Sequence, residues 1–390
     1  MIRSLKSESN VSETATDASG TVAARSITDE QAVALLVEVV SIPSISRSER
    51  RCAEVLCCRM TEAGYRSHID ESGSVVGTLG SQHPDAAEII LLGHIDTVPG
   101  NVPVRIENGK LYGRGSVDAK GPLVAFTVAG TRIKLPAGVR LRVIGAVEEE
   151  IASSAGAHHA ATMYRPMACI IGEPSGVDGI TLGYKGRLLA ELRITAADAH
   201  SAGPEKTAAE YACGAWLRIE AAARAVKPEA TRVFDQLQAR LRNISCSDDG
   251  LTCQAVLSVS FRLPPGMTAA DVQRLSLSAT RDLGTQHAWS FSAPELAIVS
   301  DRSNIVARAL GGAIRAAGMT PRMKLKTGTA DMNIVGPVWN CPIVAYGPGD
   351  SSLDHTPVEH MDLVEYLAAI KILVGALEAM AEELAAIVTP

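Results

Sequence analysis

The sequence predicts an α/β fold with a mostly parallel central sheet, flanking helices and an inserted α+β unit. Four apolar runs recur along the chain, each followed at once by polar residues, and helical patterns separate the earlier runs. Between about residues 183 and 293 the pattern changes to alternating strands that frame one long helical segment. We therefore expect a catalytic unit formed by residues 27–182 and 294–390, and an inserted unit formed by residues 183–293.

The N-terminal residues 1–26 are rich in serine, threonine, aspartate and glutamate and poor in large apolar side chains. Such a composition buries too little surface to offset the entropy of ordering, so we expect a disordered tail. A helix is predicted to begin near Thr28, an N-cap residue type that Glu30 or Gln31 would complete as a capping box.

The four apolar runs are predicted to be parallel strands, because helical patterns lie between the earlier ones and the run Ile89–Leu92 is uninterrupted, as in a strand buried on both faces. Ligands bind beyond the carboxyl ends of the strands in such sheets. Polar residues follow all four runs, so we expect them to meet at one edge of the sheet. They are His94 and Asp96 after the first run, Glu148, Glu149 and Glu150 after the second, Glu173 after the third, and Asp354 and His355 after the fourth.

These residues form a nitrogen and oxygen ligand set that suits zinc or another divalent ion. Carboxylates packed so densely would resist joint ionisation unless a cation neutralised them. Asp118, in a glycine-rich turn before a predicted helix, adds a carboxylate whose alternative role is a plain N-cap. For His94 and Asp96 the alternative is a purely structural pair at a strand end. The whole constellation favours the metal site.

The composition disfavours nucleic-acid binding, membrane insertion and a disulfide-rich fold. A formal charge of −6 over 390 residues gives no general attraction to nucleic acid. No run reaches the ~18 apolar residues typical of a membrane span. The first residues lack the apolar centre of a secretory signal, so we expect a cytoplasmic protein. The eight cysteines form no CxxC pair, which disfavours a zinc knuckle or a disulfide framework.

Eight motifs together resemble one known family. They are GHIDTVP, GRGSVDAKG, VEEEIASSAGA, IGEPSG, AHSAGP, FRLPPG, TGTADMN and DHTPVEH. From about residue 30 to the end, their order and spacing resemble the co-catalytic zinc amidohydrolases, the family of acetylornithine deacetylase, succinyl-diaminopimelate desuccinylase, aminoacylase and glutamate carboxypeptidase. The stretches GYKGR, KTGTADMN and SSLDHTPVEH look most like the carrier-protein lysine and ornithine hydrolases of amino-acid biosynthesis.

The resemblance implies a zinc exopeptidase-like catalytic domain with two divalent metal ions, of which zinc is expected and cobalt or manganese are alternatives. The inserted unit would be a lid that also dimerises. Asp118 would bridge the two ions. His94 and Glu173 would complete one metal site, and Glu150 and His355 the other.

The resemblance also implies that Glu149 is the general base that takes a proton from the attacking water. Asp96 would fix the ring of His94. The run of three glutamates leaves a second register open, in which Glu148 is the base and Glu149 the ligand.

On the substrate side, the resemblance implies that His200 stabilises the oxyanion of the tetrahedral intermediate, often across a dimer interface, so that a homodimer takes part in catalysis. Arg262 would grip a substrate carboxylate, for which its guanidinium fork is suited, although its alternative role is an exposed edge cation. The pocket would be shaped by Lys326, Thr327, Gly328, Thr329 and Asp331.

We therefore expect a metal-dependent amidohydrolase that cleaves an N-acyl or γ-glutamyl amide and releases an amino acid such as lysine or ornithine. The alternatives are an acetylornithine-type deacetylase, a carboxypeptidase or dipeptidase with the same centre, and a binding protein without activity. An acidic carrier protein would need a basic rim around the pocket. The candidates for that rim are Arg47–Arg51, Lys185, Arg187 and Arg322–Lys326.

Overall fold

The computed structural model describes residues 25–198 and 202–388. The helices are α1 (Asp29–Val40), α2 (Arg50–Glu62), α3 (Lys120–Arg132), α4 (Ala155–Met163), α5 (Ala208–Arg224), α6 (Ala269–Thr280), α7 (Ile305–Ala316), α8 (Met332–Trp339) and α9 (Leu363–Val388). The predicted tail, residues 1–26, lies almost wholly outside the described residues. The helix predicted near Thr28 is confirmed, since α1 begins with a capping box between Thr28 and Gln31.

Within the described residues the strands form three separate sheets. They are β1 (Arg66–Ile69), β2 (Val75–Gly80), β3 (Ala87–His94), β4 (Arg105–Glu107), β5 (Lys110–Tyr112), β6 (Val139–Ala146), β7 (Ala168–Gly172), β8 (Gly179–Tyr184), β9 (Gly186–Ala197), β10 (Gln238–Asp248), β11 (Thr252–Leu263), β12 (Gln286–Glu295), β13 (Ile298–Val299), β14 (Arg322–Lys326), β15 (Ile343–Ala345) and β16 (His360–Asp362).

The largest sheet has nine strands in the order β1-β2-β6-β3-β7-β15-β8-β13, with β14 paired to β8. Its middle is parallel, because β6, β3, β7 and β15 are neighbours that all run in the same direction. These are the four apolar runs of the sequence, so the predicted mostly parallel sheet is confirmed. Strands β1, β2 and β13 extend the sheet with antiparallel pairs.

Strand β3 shows why this sheet is buried on both faces. All of its residues, Ala87–His94, are buried. Ile89 and Leu91 pack into a core with α1, α2, α3, α7 and α9, whereas Ile90 and Leu92 pack into a second core with α4 and α8. Because successive side chains of a strand point to opposite faces, one apolar run supplies both cores.

The second sheet is antiparallel, in the order β10-β11-β9-β12. Its strands lie between residues 186 and 295, and α5 and α6 cover one face through alternate residues such as Leu188 and Leu192. Strands β8 and β13, on either side of this segment in the chain, pair with each other in the first sheet. The division of the chain at residues 183 and 293 stays a prediction.

The third sheet is small and has the order β16-β5-β4. It joins the segment before Asp118 to the segment after His355, which are far apart in the sequence. Helix α9 is long, but no helix within residues 25–198 and 202–388 is both long and apolar enough to cross a membrane.

Candidate metal centre and substrate cleft

The predicted site residues lie at the carboxyl ends of the parallel strands. His94 is the last residue of β3 and is 1% exposed. Glu149 and Glu150 lie in the turn after β6, Glu173 follows β7 directly, and His355 lies in the loop after β15. Because these four strands are parallel neighbours, their ends lie side by side.

Asp118 lies between the two histidines. Its Oδ1 is 3.3 Å from Nε2 of His94, and its Oδ2 is 3.0 Å from Nε2 of His355. Nε2 of His355 is also 3.0 Å from Oε2 of Glu150. The N-cap alternative for Asp118 is wrong, since helix α3 begins at Lys120 with Ala119 as its N-cap residue. Asp118 instead presents one carboxylate oxygen to each histidine.

The three consecutive glutamates diverge. Oε2 of Glu149 is 3.9 Å from Nε2 of His94, the same distance that separates this nitrogen from Oε1 of Glu173. Glu150 faces His355. Glu148 has a positive φ of 61° and turns away, since its carboxylate accepts a hydrogen bond from Ser153. Only Glu149 and Glu150 of this run therefore belong to the cluster around the histidines.

Asp96 holds the turn that carries these two glutamates. Its Oδ1 accepts the backbone N–H of Glu149 at 3.0 Å, and its Oδ2 accepts that of Glu150 at 3.1 Å and the Ser46 hydroxyl at 2.7 Å. The ring of His94 is held by the main chain of Asp96, because Nδ1 is 3.0 Å from the Asp96 carbonyl oxygen and 3.5 Å from Oδ1. The two side chains are in reach of each other, but the carboxylate mainly fixes the glutamate turn.

The electrostatics of the cluster show how crowded its charges are. Burial raises the pKa of Glu149 well above its ordinary value; the charge of His94 opposes this shift, and Glu173 adds to it. Burial and the charge of Asp118 raise the pKa of Glu173 to about 7. Hydrogen bonds with Asp118 and Glu150 raise the pKa of His355 to about 10. Cations would relieve this crowding, because they favour ionised carboxylates and neutral imidazoles.

The donor set fits divalent cations. Within 4.8 Å of one another lie ligand atoms of His94, Asp118 and Glu150, and likewise those of His94, Glu149 and Glu173. Imidazole nitrogens and carboxylate oxygens are the ligands of zinc, cobalt and manganese sites. With an oxygen toward each histidine, Asp118 is able to bridge two ions.

Carboxylates and cations both line the cleft at the cluster, and we call these two sets of side chains its carboxylate wall and its cationic wall. The cleft has a volume of about 700 Å³, and its carboxylates include Asp118, Glu149, Glu150 and Glu173. Four cations line it as well, and they are Arg187, Arg242, Arg262 and Lys326. The predicted pocket residues Thr327, Gly328 and Thr329 also line the cleft. The site thus presents positive charge to whatever lies over the carboxylates.

The register of the second sheet places Arg187 and Arg262 directly opposite each other on β9 and β11. Like charges in such a pair destabilise a sheet. Glu295 on β12 pairs with Arg187, while Arg262 donates to the Thr329 hydroxyl at 3.1 Å and forms no ion pair among the described residues. The edge-cation alternative for Arg262 is wrong, because β11 is an inner strand. Arg262 is therefore available for an anion in the cleft.

Comparisons with known proteins agree with this geometry. The profile of peptidase family M20/M25/M40 matches residues 90–379. The chain belongs to this family.

Two curated relatives of this M20 chain are hydrolases. A LysW-lysine hydrolase of Deinococcus radiodurans is 43% identical over 90% of this chain and 97% of the relative. A putative LysW-lysine/LysW-ornithine hydrolase of Thermococcus kodakarensis is 38% identical over 90% of this chain and 93% of the relative. The resemblance drawn from the motifs is thereby confirmed, and the M20 chain is a metal-dependent amidohydrolase.

Solved structures show the same fold at low identity. An M20 metallo-carboxypeptidase of Sulfolobus solfataricus matches 90% of this chain and 99% of its own with a TM-score of 0.74 and 19% identity. A tripeptidase of Staphylococcus aureus covers 92% of this chain and 100% of its own chain, with a TM-score of 0.76 and 16% identity. The predicted fold class is confirmed.

Several residues of this M20 chain do not lie where the sequence predicted. Lys185 is fully buried, and its Nζ donates to the carbonyls of Val233 and Gln236 and to the side chain of Gln238. The prediction that Lys185 belongs to a basic rim is therefore wrong. Arg187 lies inside the cleft and is paired with a carboxylate, so it is not a free rim cation either.

Asp331 lies at the start of α8, is 3% exposed and does not line the cleft. Neither of its carboxylate oxygens has a hydrogen-bond partner in the part of the chain that the structure describes. Burial raises the pKa of this carboxyl well above its ordinary value. His200 lies outside the described residues.

Sequence reasoning missed several residues that position the site. Glu359 is fully buried and binds the loop of Asp118, whereas the motif DHTPVEH indicates only His355 as a site residue. Ser46 binds Asp96, and Arg242 lines the cleft next to a bulge in β10. No ligand-type spacing marks these residues, because their partners are backbone groups or side chains distant in sequence.

Proposed function

We propose that this chain releases lysine or ornithine from an amide link to a carrier protein, as a step of amino-acid biosynthesis. The observation that carries the proposal is the 43% identity with the LysW-lysine hydrolase over 90% of the chain. The cationic wall of the cleft supports it, since the released amino acid and an acidic carrier both bring carboxylates to the site. We further propose that the bond cleaved is a γ-glutamyl amide between the carrier and the amino acid.

The proposed ligands of two divalent ions are His94 and Glu173 for one, and Glu150 and His355 for the other, with Asp118 between them. The positions of Asp118 oxygens near both histidines support this assignment. Zinc is the proposed metal, with cobalt or manganese as alternatives, because the donors are nitrogen and oxygen only. When bound, the ions would make a water more acidic and polarise the amide carbonyl.

Glu149 is the proposed general base. Its carboxylate would take a proton from the attacking water and pass it to the nitrogen of the amide as the carbon–nitrogen bond breaks. The products are then a carboxylate on the carrier and a free amine on the amino acid. Asp96 supports this role, because its hydrogen bonds to the N–H groups of Glu149 and Glu150 hold base and ligand in one turn. Arg262 would bind a substrate carboxylate.

His200 is the proposed stabiliser of the oxyanion, contributed across a homodimer. An exposed strand edge supports a homodimer, since β10 pairs only with β11 within residues 25–198 and 202–388. A cytoplasmic location stays a prediction from the sequence.

The test is turnover by the metal-loaded protein of carrier-linked lysine and ornithine against N-acetyl-lysine, N-acetylornithine and dipeptides, with Glu149→Ala as the inactive control. We expect carrier-linked substrates to be preferred. Preference for N-acetylornithine would make the chain a deacetylase, and preference for dipeptides would make it a peptidase. Failure of all these amides at full metal occupancy would leave a binding protein.

A further inference from the structure

The bridging candidate Asp118 lies on a loop that has no regular structure of its own. Between β5 and α3 the chain passes through the turns of Gly113–Ala119, and hydrogen bonds to other segments help to fix its path. A metal ligand needs a fixed position, so something behind this loop must hold it.

Glu359 is the side chain behind the loop. It is fully buried, and its Oε1 accepts the backbone N–H of Val117 at 3.0 Å and of Asp118 at 3.2 Å. Its Oε2 accepts from Nη1 of Arg114 at 2.6 Å. One carboxylate thus satisfies two backbone donors and one guanidinium of the same loop, and Arg114 balances its charge.

The backbone joins the same two segments. Strand β16 pairs with β5, with Met361 opposite Leu111, and the N–H of Gly113 donates to the carbonyl of Glu359 at 3.3 Å. His355 lies four residues before Glu359, at the other end of this segment. The segments that carry Asp118 and His355 are therefore joined by strand pairing between β5 and β16 and by the hydrogen bonds of Glu359.

We infer that Glu359 is a positioning residue that holds Asp118 and His355 as one unit, so that both metal ions depend on it. The inference rests on the proposed dimetal site but not on the identity of the substrate. It makes Glu359 responsible for metal affinity although the hydrogen bonds of its carboxylate go to backbone N–H groups and to Arg114. Its hydrogen bond to Asp118 is made to the backbone N–H.

The chain offers a matched control. Glu88, at the opposite end of β3 from His94, is 7% exposed, and its Oε1 accepts from Nε and Nη2 of Arg142 at 3.0 and 2.7 Å. It is also a buried glutamate paired with an arginine, and it lies six positions before His94, which corresponds to roughly 20 Å of strand. Glu88→Gln should therefore disturb the fold as Glu359→Gln does, without reaching the metal centre.

The experiment measures zinc affinity and stoichiometry by competition with a chelator, and records the visible absorption of the cobalt-loaded protein, for the wild type, Glu359→Gln and Glu88→Gln. In Glu359→Gln the side-chain oxygen can still accept from the backbone, but the amide nitrogen would face Arg114. Because both groups are hydrogen-bond donors, the loop should shift. We expect both ions to bind about 10- to 100-fold more weakly. The cobalt spectrum should change, and kcat should fall with KM unaltered. Glu88→Gln should keep wild-type affinity and spectrum.

Wild-type zinc affinity in folded Glu359→Gln would overturn the inference, and so would an equal loss in Glu88→Gln. If Glu359→Gln does not fold, Arg114→Met takes its place, because it removes the partner that orients the carboxylate. Unchanged zinc affinity in Arg114→Met would then overturn the inference. Because zinc binding needs no substrate, the inference can stand even if every proposed amide fails to react.

Discussion

The two walls of the cleft are built in different ways. On the carboxylate wall, buried side chains fix the backbone that carries the candidate ligands: Asp96 binds the turn of Glu149 and Glu150, and Glu359 binds the loop of Asp118. On the cationic wall, Arg262 has a hydroxyl partner and no ion pair among the described residues. The first arrangement suits ions that stay bound, and the second suits an anionic substrate that enters and leaves.

The largest expected effect is on the carboxylate wall. Glu149→Gln should lower kcat by about 10²- to 10⁴-fold, because a glutamine cannot take a proton from the attacking water. Zinc content, measured by elemental analysis, should stay at the wild-type level, since Glu149 is proposed as base and not as ligand. Loss of one ion together with activity would support the other register, in which Glu149 is a ligand.

On the cationic wall, Arg262→Ala should lower kcat/KM by roughly 100-fold, or about 3 kcal/mol, because a desolvated charge pair with the substrate is lost. Steady-state kinetics on the carrier-linked substrate measures this, and zinc affinity should not change. Arg193→Ala is the matched control, since Arg193 is an exposed arginine of the same sheet that pairs with Glu191. Equal losses in both variants would remove the special role of Arg262.

The walls should also differ in their response to pH. The metal-free carboxylate wall carries bound protons, since the pKa of Glu173 is raised to about 7 and that of His355 to about 10. Because these pKa values are raised in the fold, the bound protons stabilise the metal-free protein, and this stabilisation is lost as the pH rises through them. A cation that binds the same groups must displace the protons. Zinc affinity should therefore fall, by about tenfold for each proton displaced per pH unit, as the pH falls through about 7.

Calorimetric titration of zinc at several pH values, in buffers that differ in ionisation enthalpy, counts the protons released. We expect proton release at pH 7. Affinity independent of pH between 6 and 8, without proton release, would show that the cluster does not take up zinc through these groups.

The smallest expected effect comes from Thr329→Val, which removes the hydroxyl that accepts from Arg262. The net value of such a hydrogen bond is about 0.5–1.5 kcal/mol, so kcat/KM should fall by no more than about tenfold. Comparing this loss with that of Arg262→Ala, in the same assay, shows whether substrate binding depends more on the orientation of the guanidinium group or on its charge. A loss in Thr329→Val as large as that in Arg262→Ala would mean that orientation dominates.

The sequence predicted the carboxylate wall well, for a physical reason. Apolar runs separated by helical patterns mark parallel strands, and the carboxyl ends of such strands lie together, so His94, Glu150, Glu173 and His355 could be grouped without a structure. In the structure, His94 and His355 lie beside Asp118, and Glu150 lies beside His355, as this grouping predicts.

The supports behind the wall could not be predicted in this way. Glu359 acts on backbone N–H groups 241 and 242 positions away in the chain, and no spacing rule records such a contact. The prediction that Lys185 is a rim cation is wrong because three acceptors about 50 residues further along the chain bind its buried ammonium group. Both contacts depend on how distant segments pack, which local patterns do not contain.

The most direct test of the account is a crystal structure of the zinc-loaded protein with anomalous scattering recorded at the zinc edge. The account predicts two zinc ions about 3.5–4 Å apart, bridged by the carboxylate of Asp118, one bound by His94 and the other by His355. A single ion, or ions bound away from Asp118, would contradict it.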